Sequence, residues 1–235
     1  MKKKFLWYQI VEVENKKYLK AFRYWTAQGM LYAHNTERIF KIFCEIFFYL
    51  IASELLRHFS RIEGLSLILI SLFISHNINF ILNCAVWETL ICDLGLRGSG
   101  KAKLMNYTKE LRTRSATYNS ISCAFSYGSP ARGKLHDSSD LDIVFIRKPG
   151  LINAISSLYI ITREKVYSLF KRIPLEIFLS DDLTFIDRPM TSEKIIIIDD
   201  KSKLLKACEK ETQTIEDAEL LNGLINKPYH HKQQT

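Results

Sequence analysis

Cysteine pairs at metal-ligand spacing are missing from this sequence. Its five cysteines, Cys44, Cys84, Cys92, Cys123 and Cys208, are scattered and odd in number, and no C-x-x-C pair occurs among them. Neither a disulfide framework nor a zinc site is therefore supported. Reduced, buried thiols in a cytosolic protein are the expectation.

Acidic residues are also fewer than basic ones. The chain has 25 Asp and Glu against 33 Lys and Arg, which gives a formal net charge of +8. This excess favours an anionic partner, such as nucleotide phosphates, nucleic acid or a lipid surface. Charge alone does not choose among the three, and no other feature points strongly to nucleic acid. With 47% hydrophobic residues the composition is that of a folded protein.

Two familiar signals are absent from the glycine-poor sequence. The basic N-terminus is followed by a short apolar stretch without a small-residue cleavage site, so no cleaved signal peptide is expected. The link GLRGSGKAK, residues 95–103, lacks the G-x-x-x-x-G-K-[ST] spacing of a phosphate-binding P-loop. We interpret this link as the boundary between an N-terminal helical region, residues 1–94, and a C-terminal domain, residues 95–235.

Two long apolar runs are the main feature of the N-terminal region. They cover residues 39–56 and 65–87, and each is about as long as a helix that crosses a bilayer. Basic residues flank both outer ends: Arg38 precedes the first run and Lys41 lies at its start, and Arg97, Lys101 and Lys103 follow the second. The pattern predicts a transmembrane hairpin with both ends at the cytoplasmic face of the membrane.

Polar residues within both runs leave a second interpretation open. Glu45 and Glu54 interrupt the first run, and an acidic residue near the bilayer centre costs about 2.5–3.5 kcal/mol. The second run contains His76, Asn77, Asn79 and Asn83, and the connecting loop carries Arg57 and Arg61. The alternative is a soluble cytoplasmic hairpin that packs on itself or on the C-terminal domain.

The C-terminal domain alternates between helical and strand patterns. Helices are predicted over residues 101–117 and 151–172, and strands over 121–127, 141–146, 174–179 and 195–198. This alternation predicts an α/β or α+β domain, in which helices flank a small mixed sheet.

Two aspartates occupy an otherwise apolar run in the stretch FSYGSPARGKLHDSSDLDIVFI, residues 125–146. Asp140 and Asp142 are two positions apart, so on a strand they project to the same side. Adjacent carboxylates repel each other and are costly to bury unless a cation neutralises them. Such oxygen ligands suit Mg²⁺, and a pair of ions can assist an in-line displacement. The spacing therefore predicts a magnesium site.

Residues with an affinity for phosphate precede the aspartates. Gly128 lets the backbone approach a phosphate closely, Ser129 adds a hydroxyl, and Arg132 and Lys134 can pair with phosphate oxygens. A third carboxylate is expected on a neighbouring strand, where Glu176 is the one acidic residue of PLEIFL. It could bind the metal or take the proton of an acceptor.

The arrangement of these motifs resembles the nucleotidyltransferase superfamily of the DNA polymerase beta type. In that arrangement a strand leads to a Gly-Ser pair and a loop, an Asp-x-Asp strand follows, and a later strand carries one acidic residue. YGSPARGKLHDSSDLDI is most similar to its minimal branch, which includes aminoglycoside nucleotidyltransferases and antitoxins that adenylylate a toxin. The resemblance covers about residues 119–182. It implies a fold of nucleotidyltransferase type and phosphate contacts from Gly128 and Ser129. It also implies two Mg²⁺ ions, replaceable by Mn²⁺, on Asp140, Asp142 and Glu176.

The expected activity is transfer of a nucleoside monophosphate from a nucleoside triphosphate, with ATP favoured, to an unidentified acceptor, with release of pyrophosphate. One alternative is an antitoxin-type protein adenylyltransferase, which needs a partner toxin. Another is a nucleotide-binding module without catalysis. The sequence argues against this alternative, because it retains Gly128, Ser129, Asp140 and Asp142. The apolar N-terminal region favours an acceptor near a membrane.

Overall fold

The computed structural model describes residues 17–28, 30, 33–60, 62–83, 86–88, 90–91, 98–182, 194–205 and 211–225. Cys44 and Cys123 lie within these ranges, and both are thiols rather than half-cystines. The predictions for Cys84, Cys92, Cys208 and the start of the link at residues 95–97 fall outside the described residues.

Three helices make up the described N-terminal part: α1 (Lys17–Ala27), α2 (Asn35–Ser60) and α3 (Gly64–Asn83). Helices α2 and α3 pack along each other as a hairpin. The polar break predicted over residues 57–64 is shorter than expected, because α2 continues to Ser60. The second apolar run forms α3 and then a separate helical turn, Val86–Glu88.

Five strands form one mixed sheet, with the order β3-β2-β1-β4-β5. Their bounds are β1 (Ile121–Tyr127), β2 (Leu141–Arg147), β3 (Leu175–Ser180), β4 (Ile195–Asp200) and β5 (Thr212–Gln213). Strand β1 is antiparallel to both β2 and β4, while β2–β3 and β4–β5 are parallel pairs. Every residue of the central strand β1 is buried, as its apolar sequence predicts.

The main core lies between one face of the sheet and the helices α4 (Lys101–Ser115) and α5 (Leu151–Lys171). Alternate strand residues such as Ile143 and Phe145 of β2 enter this core, because successive side chains of a strand point to opposite faces. A smaller cluster around Phe125, Val144 and Phe178 covers the other face. Helix α6 (Ile215–Leu221) begins with a capping box of Thr214 and Asp217.

The prediction of a small mixed sheet with flanking helices is confirmed, and its four predicted strands are found within one or two residues of their expected bounds. The described residues contain six helices of two turns or more. Helices α1 and α6 and the short strand β5 were not predicted. Each is short, and each depends on contacts with residues that are distant in the sequence.

A buried ionic cluster joins the hairpin to the sheet and to α5. Glu37, near the start of α2, lies 2.9 Å from Lys41 Nζ and 3.3 Å from Lys165 Nζ of α5. Its second oxygen accepts a hydrogen bond of 3.2 Å from the backbone N–H of Leu179 in β3. Lys165 also donates to the carbonyl of Asn83, at the end of α3. Both outer ends of the hairpin are thus held at the edge of the sheet.

One of the described helices, α3, has the length and composition of a membrane-crossing helix. Only 22% of its most apolar 18-residue stretch is buried inside the protein. Helix α2 is longer, but it contains Glu45, Glu54 and Arg57 in its apolar part.

Candidate functional site

Three polar side chains lie in one row across the sheet. In the register of β1 and β2, Tyr127 is opposite Asp142, and in the register of β2 and β3, Asp142 is opposite Glu176. Asp142 shares its face with Val144 rather than with Ile143, so the row lies on the face away from α4 and α5. The prediction that Glu176 lies on a strand beside the Asp-x-Asp strand is confirmed.

The two acidic strands begin at the same level. The N–H of Leu141 donates a 2.8 Å hydrogen bond to the carbonyl of Pro174, which aligns the starts of β2 and β3. Asp140 directly precedes β2, and its half-buried side chain is close enough for its charge to raise the pKa of Glu176. Asp142 and Glu176 are therefore neighbours on adjacent strands, and Asp140 directly precedes the strand of Asp142.

The Gly-Ser turn at the end of β1 lies directly beside Asp142. Gly128 has a φ of +80°, a left-handed conformation that glycine adopts without strain. A Cβ atom at this position would be 3.0 Å from Asp142 Oδ2. The next residue, Ser129, has a buried hydroxyl oxygen without a hydrogen-bond partner in the described part of the chain. Buried polar groups are nearly always paired, so this hydroxyl is available to a ligand.

The loop after Ser129 folds back on the turn instead of starting a helix. The N–H of Arg132 donates to the Gly128 carbonyl at 3.2 Å, and the N–H of Lys134 donates to the Ser129 carbonyl at 3.1 Å. The side chains of Arg132 and Lys134 are exposed at the surface of this loop. Their predicted contact with phosphate remains a prediction.

The C-terminal helix fixes this loop, a role that sequence reasoning missed. Asn222, just after α6, accepts a hydrogen bond from the N–H of Leu135 and donates one to the carbonyl of Pro130, at 2.9 and 2.8 Å. Gly133 has a φ of +69°, and a Cβ atom there would lie 2.6 Å from Leu221 Cγ. The loop is therefore held in shape from outside. No local sequence pattern links Asn222 to residues about ninety positions earlier.

A tyrosine of the N-terminal helix contacts the third acid. The hydroxyl of Tyr24 in α1 donates a hydrogen bond to Glu176 Oε1. Burial raises the pKa of Glu176 above its usual value, and the charge of Asp140 adds to this. The Tyr24 hydrogen bond and the charges of Lys165 and Lys41 act in the opposite direction without cancelling the effect. Glu176 is thus a buried carboxylate held by a residue of α1.

The acids after β3 are not part of the row. Asp181 accepts hydrogen bonds from Arg147 Nε at 2.6 Å and from Thr36 Oγ1 at 2.7 Å. It therefore connects the end of β2 to the start of α2. Asp182 follows in a bend, where its backbone carbonyl accepts a hydrogen bond from Ser180 Oγ. The contacts of Asp181 are therefore structural ones.

No convergent group of three or more His, Cys, Asp or Glu side chains is found over the described ranges. The residues nevertheless fit a hydrated divalent cation with a phosphate ligand. The row supplies carboxylate oxygens, the ligands that Mg²⁺ prefers. Gly128 leaves room beside Asp142, and the Ser129 hydroxyl is buried without a partner among the described residues.

Comparisons with family models, with curated proteins and with solved structures find no match for this chain. Any statement about function therefore rests on the fold and the site geometry.

Proposed function

We propose that this chain is a magnesium-dependent nucleotidyltransferase that moves a nucleoside monophosphate from a nucleoside triphosphate, with ATP favoured, to an acceptor hydroxyl or amine. The observation that carries the proposal is the register that aligns Asp142 with Glu176, beside a turn whose buried serine hydroxyl has no partner among the described residues. Neighbouring acids beside a glycine turn with a buried serine hydroxyl are suited to a metal-bound polyphosphate.

The acids and the Gly-Ser turn have distinct roles in this proposal. Asp140 and Asp142 would hold the cations, and the Ser129 hydroxyl would donate to a phosphate oxygen of the triphosphate. The cations, when bound, supply Lewis-acid stabilisation of the charge that develops on the phosphoryl oxygens. Gly128 keeps the backbone close enough for this contact, because a side chain there would occupy the space beside Asp142.

Glu176 is the proposed ligand or proton acceptor on the acceptor side. The acceptor atom forms a new bond to the α-phosphorus, the bond from that phosphorus to the bridging oxygen breaks, and pyrophosphate leaves with the electron pair. The acceptor proton moves to Glu176 or to solvent. The position of Glu176 supports this role, because the strand register sets its carboxylate beside Asp142.

A labelling assay with two variants tests the proposal. Purified protein is incubated with Mg²⁺, each labelled nucleoside triphosphate and cell extract, and the labelled product is identified. Asp142→Asn should lower transfer by about a hundredfold or more, since even indirect changes at metal sites cost about 10–100-fold. Asp137→Asn is the control. This exposed aspartate accepts a hydrogen bond from the Lys101 N–H, which an asparagine can also accept.

The product distinguishes the possible outcomes. Label on a protein of the extract would favour the antitoxin-type adenylyltransferase, and label on a lipid or small molecule would define another acceptor class. Full transfer by Asp142→Asn, or transfer that persists after chelation of divalent ions, would contradict the proposal. Binding of a triphosphate without any transfer would leave a nucleotide-binding module.

A further inference from the structure

The hairpin of α2 and α3 carries its large apolar side chains on the outside. On α2, Phe43, Ile46 and Leu50 are each at least half exposed, and on α3, Leu65 and Phe73 are more than 60% exposed. Single exposed apolar residues are common on soluble proteins, but contiguous apolar surfaces of this kind mark an interaction site.

The inside of the hairpin is polar. Asn79 of α3 donates to the Gln28 side chain and to Glu45 Oε2, at 2.7 and 2.9 Å, and Ser75 donates to Glu45 Oε1 at 3.0 Å. The buried faces of α3 consist largely of Ser71, Ser75, Asn79 and Asn83, with Leu67. Glu45 and Asn79, which interrupt the two apolar runs in the sequence, therefore face each other, whereas Glu54 is exposed near the turn. A helix pair with polar contacts inside and apolar side chains outside suits a lipid environment.

The apolar surface extends around the hairpin rather than along one face. The consecutive residues Ile68, Leu69 and Ile70 of α3 are all exposed. Successive helical residues differ by about 100°, so these three cover roughly 200° of the helix perimeter. A protein partner or a second copy of the chain would cover one side of such a surface, whereas acyl chains would surround it.

Helix α1 lies against the hairpin near its attachment to the sheet. The ring of Trp25 meets His76 of α3 edge-on, with 4.5 Å between centroids, and its Nε1 donates to Asn77 at 3.3 Å. Phe22 is 62% exposed on the same helix, next to the basic residue Arg23. Aromatic and basic residues of this kind are typical of the headgroup level of a membrane.

We propose that the α2–α3 hairpin inserts, with the turn after Ser60 leading, into the hydrocarbon layer of a lipid bilayer. Helix α1 then lies at the headgroup level, and the sheet stays in the aqueous phase. The 20 residues of α3 span about 30 Å, which is about the thickness of the hydrocarbon layer. Near the turn, the exposed pair of Arg57 and Glu54 can extend toward the polar region on the far side.

Vesicle flotation of the full chain tests this proposal without any assay of activity. Protein in detergent is mixed with phosphatidylcholine vesicles, with or without phosphatidylglycerol, the detergent is removed, and the vesicles are floated in high salt. The wild-type chain should float with both vesicle types. Retention in high salt separates insertion from charge attraction, because salt screens exposed charges.

Two lysine variants locate the inserted surface. Ile46→Lys and Leu69→Lys replace exposed side chains, so the fold should persist, which circular dichroism checks. Each should reduce partition into vesicles by about tenfold or more, because a lysine within the hydrocarbon layer is costly to insert. Ile46→Leu and Leu69→Ile keep the surface apolar and should float. Thr113→Lys on α4 adds the same charge away from the hairpin and should float as well.

Three results would overturn the proposal. The first is a wild-type chain that stays in the aqueous fraction after detergent removal. The second is release of the floated chain by salt, which would indicate a peripheral electrostatic contact. The third is a soluble dimer without vesicle binding, which would assign the apolar surface to a second copy. None of these results depends on whether the chain transfers nucleotides.

Discussion

The buried hydroxyl of Ser129 is the residue-scale feature that best separates binding from folding. It has no hydrogen-bond partner in the described residues, and the same is true of the buried hydroxyl of Ser126, three positions earlier on β1. Removing an unpaired buried polar group costs little stability and can increase it. The two serines differ in location: Ser129 lies in the turn beside Asp142, while Ser126 lies within the sheet.

Ser129→Ala and Ser126→Ala form a matched pair. Neither variant should unfold at a lower temperature than the wild type, because no hydrogen bond within the described structure is lost. Ser129→Ala should bind a non-hydrolysable triphosphate about tenfold more weakly, since a hydrogen bond to a charged group contributes about 1.5–3 kcal/mol. Ser126→Ala should bind it normally. Calorimetry measures both quantities, and equal affinities for the two variants would remove Ser129 from the proposed phosphate site.

At the scale of secondary-structure elements, one buried carboxylate joins helices α4 and α5. Glu164 of α5 accepts hydrogen bonds from Arg114 Nε and Nη2 at 3.1 and 2.8 Å. Tyr107 and Tyr118 also donate to it. Burial alone would raise the pKa of Glu164, but these hydrogen bonds outweigh it and lower the pKa below the usual 4.5. The ionised carboxylate therefore stabilises the fold.

Glu164→Gln should make stability depend less on pH in the acidic range. A carboxylate whose pKa is lowered by folding stabilises the fold at any pH above its pKa in the unfolded chain, about 4.5. This stabilisation is lost as the pH falls through the lower pKa of the folded state. At neutral pH the variant should be less stable by about 1–3 kcal/mol, and the difference should shrink below pH 4.5. Denaturant unfolding at several pH values measures this.

Glu110→Gln is the control for that comparison. Glu110 lies 3.5 Å from Arg114 and is about half exposed, so its loss should cost about 0.5 kcal/mol or less. A Glu164→Gln difference that stays constant down to acidic pH would show that packing, and not charge, is responsible.

On the scale of the whole molecule, the N-terminal helices and the sheet meet at the third acid. Tyr24 of α1 donates to Glu176, while Glu37 of α2 accepts from the backbone of Leu179 on the same strand. Partners that orient a metal-binding carboxylate contribute to metal affinity although they do not touch the ion. We therefore interpret Tyr24 as a positioning residue for Glu176.

Tyr24→Phe should raise the Mg²⁺ concentration needed for half-maximal transfer by about tenfold or more. The reason is that Glu176 loses the donor that orients it, while the packing of the ring is retained. Tyr159→Phe is the control, because Tyr159 is 66% exposed on α5. Transfer assays over a range of Mg²⁺ concentrations measure the effect. An unchanged requirement in Tyr24→Phe would show that Glu176 does not need this contact.

Local patterns were sufficient to predict part of the molecule. Strand β1 and the Asp-x-Asp start of β2 follow from alternation and spacing, which are local properties. The expectation that Glu176 lies on a neighbouring strand went with the family resemblance, because strand pairing is not a local property. The roles of Tyr24 and Asn222 could not be predicted from local patterns. Tyr24 contacts Glu176, 152 residues away, and Asn222 contacts Leu135, 87 residues away. The polar residues in the apolar runs counted against a membrane hairpin in the sequence, whereas the structure pairs Glu45 with Asn79 inside it.

Helix α1 contacts both the hairpin, through Trp25, and Glu176, through Tyr24. This position has a kinetic consequence. A chain anchored through the hairpin would hold its reaction centre within a helix width or so of the membrane surface. Acceptors in that membrane would then be met by lateral diffusion, in two dimensions. Turnover would follow the mole fraction of acceptor among the lipids, and diluting the suspension at constant triphosphate and Mg²⁺ concentrations would leave it nearly unchanged.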